Sequence, residues 1–253
     1  LPDILFRVVD LETVGVDPTP EPCDGIVELG WTDVWFDSDT RTASVGESYD
    51  YILFNPPGGI PPEASAVHHV TGRMVNGLAP CTAEVVRLLT ADMPYQRTPF
   101  ALVAHNAKFE RSWLDAALGE TRWLCTYKVA KRVWPEWPAH NNHACRYLLG
   151  LDLDPRKAEP PHRAGPDAYV TAHVLAAMLR FGVASVNDML VWTREPVFMP
   201  VCPIGEDWRG KPWSEVDHGF LSWVLRKDGM DADVQHWARV ELDRRRQLAM
   251  QGA

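Results

Sequence analysis

The stretch Leu5-Phe6-Arg7-Val8-Val9-Asp10-Leu11-Glu12-Thr13 constrains this chain more than any other. A short run rich in apolar and β-branched residues that ends in acids reads as a buried strand emerging into a polar site. Side chains alternate across a strand, so Asp10 and Glu12 project to the same side. Two carboxylates placed there repel each other unless positive charge sits between them. A divalent metal meets that need, and Mg2+ prefers oxygen ligands. Taken alone, Asp-x-Glu also fits a strand running out into a solvated acidic turn, and only partner motifs elsewhere in the chain give it a chemical meaning.

The chain of 253 residues is long enough for a full hydrophobic core, as one domain or one plus a small appendage. Its net charge of -9 argues against broad, non-specific coating of nucleic acid. That balance leaves room for a nuclease, whose carboxylates are offset locally by metal. Cys23, Cys81, Cys125, Cys145 and Cys202 are scattered and contain no Cys-x-x-Cys pair, so neither a disulfide framework nor a zinc site is indicated. A reducing cytoplasm is the expected compartment. No apolar run approaches the ~20 residues of a membrane span. The first residues lack a secretory signal pattern, and Leu1 in first position is expected to follow a start that is missing.

Taken in order, Val14 to Gly25 is rich in turn residues, and Ile26 to Phe36 reads as a second strand. Asp37 to Glu47 reads as a polar turn and Ser48 to Phe54 as a third strand, which makes a partly antiparallel meander. The Pro- and Gly-rich run Asn55 to Pro62 separates it from a short helix over Glu63 to His69. Thr82 to Leu89 reads as a further helix and Phe100 to Ala104 as a buried strand. Asn106 is the expected N-cap of a helix from Ala107 to Leu118, with Phe109, Trp113, Leu114 and Ala117 on one face. Leu124 to Trp134 and Asn142 to Leu149 read as helices, and a loop at 160–167 feeds another that Gly182 ends. Beyond about residue 190 the texture changes, and 196–253 reads as a small appended module with two helices, after an α/β domain over 1–190.

Three sequence clusters combine into one chemistry: Asp10-x-Glu12-Thr13, His105-Asn106-Ala107-x-Phe109-Glu110 and His162-Arg163-Ala164-x-x-Asp167. Each acid lies where an apolar strand ends or a helix begins, and such ends gather at one edge of an α/β sheet. Four carboxylates suffice to hold two Mg2+ ions, the arrangement that suits in-line phosphodiester hydrolysis. His162 is of the residue type that titrates near neutrality and can take the proton from the attacking water. His69, His140 and His143 read as structural or exposed, and the tryptophans as mostly core.

These motifs resemble the three exonuclease motifs of the DEDD superfamily, histidine subtype (DnaQ-like), and most of all its bacterial exonuclease X group. Trp123 to Pro135 is similar to the helix after that group's second motif. Gly205-x-x-x-Arg209-Gly210-Lys211-Pro212-x-Ser214-Glu215-Val216, followed by Phe220 to Leu225, is similar to its C-terminal module. The resemblance implies a ribonuclease-H-like fold, a mixed five-stranded sheet flanked by helices. It implies a 3′-to-5′ exonuclease that uses two divalent metal ions, Mg2+ or Mn2+, on DNA 3′ ends in repair or end processing. Asp10 would bridge both metals, Glu12 and Asp167 would complete one shell, Glu110 would serve the second, and His162 would be the base. Leu11, Thr13, His68 and Asn106 would meet the terminal nucleotide. The family pattern has Asp where this chain has Glu110. The alternatives are an RNA-trimming or proofreading exonuclease of the same superfamily, or a non-catalytic binder of nucleic-acid ends.

Overall fold

The computed structural model describes residues 4–92 and 97–251, and Leu1 lies outside them. It falls into two compact units, Leu1–Ala130 with Pro138–Thr193 and Lys131–Trp137 with Arg194–Ala253.

The first unit is built on one mixed sheet of β1 (Ile4–Thr13), β2 (Ile26–Asp37), β3 (Thr42–Val45), β4 (Asp50–Leu53), β5 (Ala101–Ala104) and β6 (Trp123–Cys125). The order is β3-β2-β1-β5-β6, with β4 also paired to β2. β1 and β2 are antiparallel, while β5 and β6 run parallel to β1. The outer edge of β2 is shared: β3 pairs its end near Val34 and β4 its start near Leu29. Six strands therefore occupy the five positions across that the resemblance implies. Two of them differ from the sequence reading. β3 comes from the stretch read as a polar turn, and β6 opens the stretch read wholly as helix.

The helices are α1 (Pro62–His68), α2 (Gly72–Val75), α3 (Ala83–Arg87), α4 (Lys108–Leu118), α5 (Thr126–Val133), α6 (Asn142–Leu148), α7 (Pro155–Ala158), α8 (Ala164–Phe181), α9 (Val186–Arg194), α10 (His218–Arg226) and α11 (Ala232–Gln251). α8 is apolar nearly all round, which marks a buried helix, and it covers β1, β2 and β3 on one face of the sheet. Gly182, in the left-handed conformation at φ 59°, ends it by returning N–H bonds to the last turn. On the opposite face Val9, Leu11, Leu29 and Leu102 pack with Trp113 and Leu114 of α4. The expected stripe of Phe109, Trp113, Leu114 and Ala117 is the face that α4 buries. The second unit closes a separate core of Trp213, Leu221, Val224, Val234, Ala238 and Leu242. Among the described residues, no helix is long and apolar enough to cross a membrane.

Candidate active site

β1 delivers the first two acids from its last residues. Its register against β2 shifts between Glu12 and Thr13, a bulge that re-aims the strand where it leaves the sheet. Opposite Asp10 on β2 is Gly30, and opposite Glu12 is Glu28. A Cβ on Gly30 would stand 2.2 Å from the carbonyl carbon of Ala164 and 2.4 Å from the amide nitrogen of Gly165. The bare backbone of Gly30 thus lets the N-terminus of α8 lie directly on the sheet beside Asp10. Gly165 is equally closed, since its Cβ would meet the Tyr49 ring at 2.4 Å. This contact brings Asp167, in the first turn of α8, to the β1 acids. Carboxylate oxygens of Asp10, Glu12 and Asp167 all lie within 4.8 Å of one another. Glu110 comes from α4 on the other face of the sheet and stands outside that group. It lines the same cleft of about 450 Å³, together with Asp10, Leu11, Glu12, Thr13, His68, His162 and Asp167.

The loop before α8 is tied down by an ion pair that strand patterning does not reveal. Glu28, 1% exposed, receives Arg163 Nε at 2.7 Å and Nη2 at 2.8 Å. It also accepts the Ala164 N–H at 3.2 Å. Arg163 comes directly after His162, whose backbone adopts a left-handed φ of 60°. The His162 N–H donates to Asp167 Oδ2 at 2.9 Å. One residue therefore aims an exposed imidazole at the cleft and fixes a carboxylate with its main chain. The other oxygen, Asp167 Oδ1, faces His143 Nε2 at 3.0 Å, and Asn142 Nδ2 donates to the Asp167 carbonyl at 3.1 Å. His143 thus has a place against the site, which its position in α6 could have signalled only with the three-dimensional contact known.

Electrostatics register the crowding. Burial, then Asp167, Glu12, Glu110 and Glu28, push Asp10 well above the usual carboxylate range. Burial, then Asp167 and Glu28, raise Glu12 to about 8, with Arg163 opposing. Burial raises Glu110 to about 8, its own backbone N–H opposing. Glu110 Oε2 is buried and has no hydrogen-bond partner. An all-oxygen donor set, crowded enough to hold its protons and including an orphaned carboxylate oxygen, fits a hard divalent cation. A carboxyl raised in the fold binds its proton more tightly folded than unfolded. The contribution of these acids to the stability of the metal-free protein is therefore full in acid and is lost as pH rises toward about 8, while buried His105 and His173, lowered to about 4, act in the opposite sense. Thermal unfolding in chelator should show wild type losing Tm relative to Glu110→Gln from about pH 5 to about pH 8, and Mg2+ should narrow that loss. A wild-type Tm that gains on that of Glu110→Gln over this interval would contradict the crowding.

The remaining candidates divide. His68, 1% exposed, accepts the Val70 N–H on Nδ1 at 3.0 Å, which assigns the ring proton to Nε2, a buried atom directed at the Thr13 backbone without a well-formed hydrogen bond. Burial lowers its pKa, so it is a neutral donor at the cleft wall. Thr13 turns its hydroxyl to the Gly15 carbonyl at 2.6 Å. Asn106 departs from the expectation. It takes a left-handed φ of 77°, α4 begins after Ala107 without a side-chain cap, and Asn106 does not line the cleft. Its main-chain carbonyl, not its side chain, meets the first turn, accepting the Phe109 N–H at 2.9 Å. His105 is structural, gripped by Thr126 Oγ1 and the His140 carbonyl at 2.9 and 2.7 Å and lowered to about 4 by burial. Val16, Val67 and Phe109 give the cleft an apolar side, with Val16 81% and Val67 50% exposed.

No protein-family model matches the chain. Exodeoxyribonuclease 10 of Escherichia coli K12 is 30% identical over 235 residues, 91% of this chain and 96% of that protein. The DNA polymerase III epsilon subunit of Treponema pallidum is 29% identical over 187 residues, 70% of this chain and 77% of that protein. A solved structure of exonuclease X in complex with 5′-overhanging duplex DNA superposes with a TM-score of 0.54 at 28% identity, covering 74% of this chain and 99% of that one. An alignment running through nearly the whole of both chains makes this protein a member of the exodeoxyribonuclease X family, within the DEDD superfamily of 3′–5′ exonucleases.

Proposed function

We propose that the chain removes mononucleotides from DNA 3′ ends in repair or end processing, with Asp10, Glu12, Glu110 and Asp167 holding two divalent ions, Mg2+ or Mn2+. The observation that carries this reading is the three-acid cluster in a cleft that Glu110, with its orphaned carboxylate oxygen, also lines. When bound, the ions would activate the attacking water and stabilise charge on the leaving oxygen. The chain's own residues do the rest. Asp10, Glu12 and Asp167 would hold one ion, and Asp10 with Glu110 of α4 would hold the other. His162 takes the proton of the attacking water on its exposed ring. His68 Nε2–H, Thr13 and the backbone at Leu11 hold the terminal nucleotide, and Val16, Val67 and Phe109 pack its apolar faces. The exonuclease domain is proposed to span 1–190, and 196–253 an appended module. End-labelled single-stranded DNA and RNA, each with Mg2+ or Mn2+ and with or without chelator, test the reading. Metal-dependent release from DNA supports it, and release from RNA alone would move the substrate class.

Because His162 holds φ 60°, an asparagine, which tolerates that conformation, is the cleaner probe than alanine. His162→Asn should lower turnover by ~10²–10⁴-fold, the scale of general-base loss, with DNA binding in chelator nearly intact. Unchanged turnover would remove His162 from the base role.

Glu110→Asp restores the family residue but withdraws the carboxylate by about one carbon–carbon bond, enough to break a Mg2+ contact of ~2.1 Å. Activity in Mg2+ should fall and Mn2+ should partly restore it, while Glu110→Gln should be worse in both. Equal half-saturating Mg2+ for all three proteins would take Glu110 out of the metal site.

A further inference from the structure

The second unit carries three aromatic rings in a row. Trp208 stands on the loop that Val201 and Pro212 close by a bridge. Its ring lies 6.2 Å from that of Phe220, which lies 5.3 Å from that of Trp223. The neighbouring planes are tilted by only 42° and 33°. Phe220 and Trp223 are three residues apart on α10 and share a face, while Leu221 and Val224, both 0% exposed, turn to the core. Gly205, at φ 82°, lets the row close up, since a Cβ there would meet Phe220 Cζ at 2.8 Å.

Trp208 and Phe220 are half-buried and pack against that core, and the row reaches the surface at Trp223. Trp223 is 44% exposed, a large apolar surface to leave in water. Cations mark both ends. Lys211 Nζ sits 4.9 Å from the Trp208 ring centroid, with Arg209 beside it in sequence. Arg226 and Lys227 lie three and four residues after Trp223, at the end of α10. Among the described residues none of these four pairs with a carboxylate, whereas Arg132, Arg244, Arg245 and Arg246 of the same unit all do. Asp217 is engaged as the cap of α10, accepting the Phe220 N–H at 3.0 Å.

From this arrangement we infer that Trp223, backed by Phe220 and Trp208, is a stacking platform for single-stranded nucleic acid, its phosphates met by Arg209, Lys211, Arg226 and Lys227. Aromatic faces accept any base, and the flanking cations supply affinity without sequence preference. The inference extends the nucleic-acid reading of the cleft and rests on it.

The test is binding of oligothymidylates to the full chain in chelator, where nothing is hydrolysed, by fluorescence anisotropy. A strand of about 4 nucleotides fills one site, and one of about 20 is long enough to engage more than one. Trp223→Ala should weaken the long strand by ~5- to 100-fold, the scale of one lost stacked base, and leave the short strand unchanged. Trp223→Phe should keep most of the affinity. Lys211→Glu and Arg226→Glu should weaken the long strand and reduce the salt dependence of its binding. Turnover of the short strand in Mg2+ should be the same in all of them, which separates this platform from the cleft. Long-strand affinity equal to wild type in Trp223→Ala and in both charge reversals would overturn the platform while leaving the exonuclease reading intact. A change in sedimentation on Trp223→Ala with DNA affinity preserved would overturn it too, and assign the rings to self-association. Wild-type chain that releases nothing from the short strand would instead overturn the reading of the cleft.

Discussion

Asp10→Asn should abolish nucleotide release and at the same time raise the thermal stability of the metal-free protein. The two effects share one cause. Asp10 has the other acids of the site around it, and burial with their charges drives its carboxyl well above the usual range. An amide of the same size removes the charge that two cations would share, and with it the repulsion that their absence leaves uncompensated. The stability gain should shrink as pH falls, because the wild-type carboxyl is then protonated and already neutral. Nucleotide release and Tm in chelator, measured on the same preparation, check both halves. Activity above about a tenth of wild type would remove Asp10 from the metal site.

Gly30→Val should be nearly as damaging to activity, and more so to the fold. A side chain at position 30 meets main-chain atoms of Ala164 and Gly165 at 2.2 to 2.4 Å, and backbone cannot swing aside as a flexible side chain would. Either α8 lifts from the sheet or β2 bends. Both separate Asp167 from Asp10 and strain the Glu28–Arg163 pair that anchors the His162 turn. Overpacking of this kind costs about 1–3 kcal/mol or more. Gly30→Val should lose activity and melt earlier, whereas Gly58→Ala, with nothing within 4 Å of its Cβ, should do neither. A fully active Gly30→Val protein would mean that the α8 contact does not set the site.

The acids of the site are legible in sequence because each ends a patterned element. Asp10 and Glu12 close an apolar strand, Glu110 opens an amphipathic helix, and Asp167 opens an apolar one. Their supports are not legible. Glu28 and Gly30 sit within a long strand whose pattern says only that it is buried. Their pairing with Arg163 and Ala164, more than 130 residues away, is a matter of register and close approach. β6 is three apolar residues running straight into a helix, too short for alternation to show. β3 pairs along one edge only and buries Ala43 alone, so its polar residues read as a turn. Asn106 has the composition of a cap, yet the chain uses its tolerance of positive φ instead.

The cleft also divides its residues by how freely they can vary. Asp10, Glu12, Gly30 and Glu28 are locked into strand pairing, and Gly165 and Asp167 into the first turn of α8, so a change at any of them disturbs another. Val16 and Val67 line the same cleft with most or half of their surface in water. Substitutions at such positions have little effect on stability. These two rim positions can therefore change one substitution at a time, altering the shape of the cleft mouth while the acids and the backbone that holds them stay as they are.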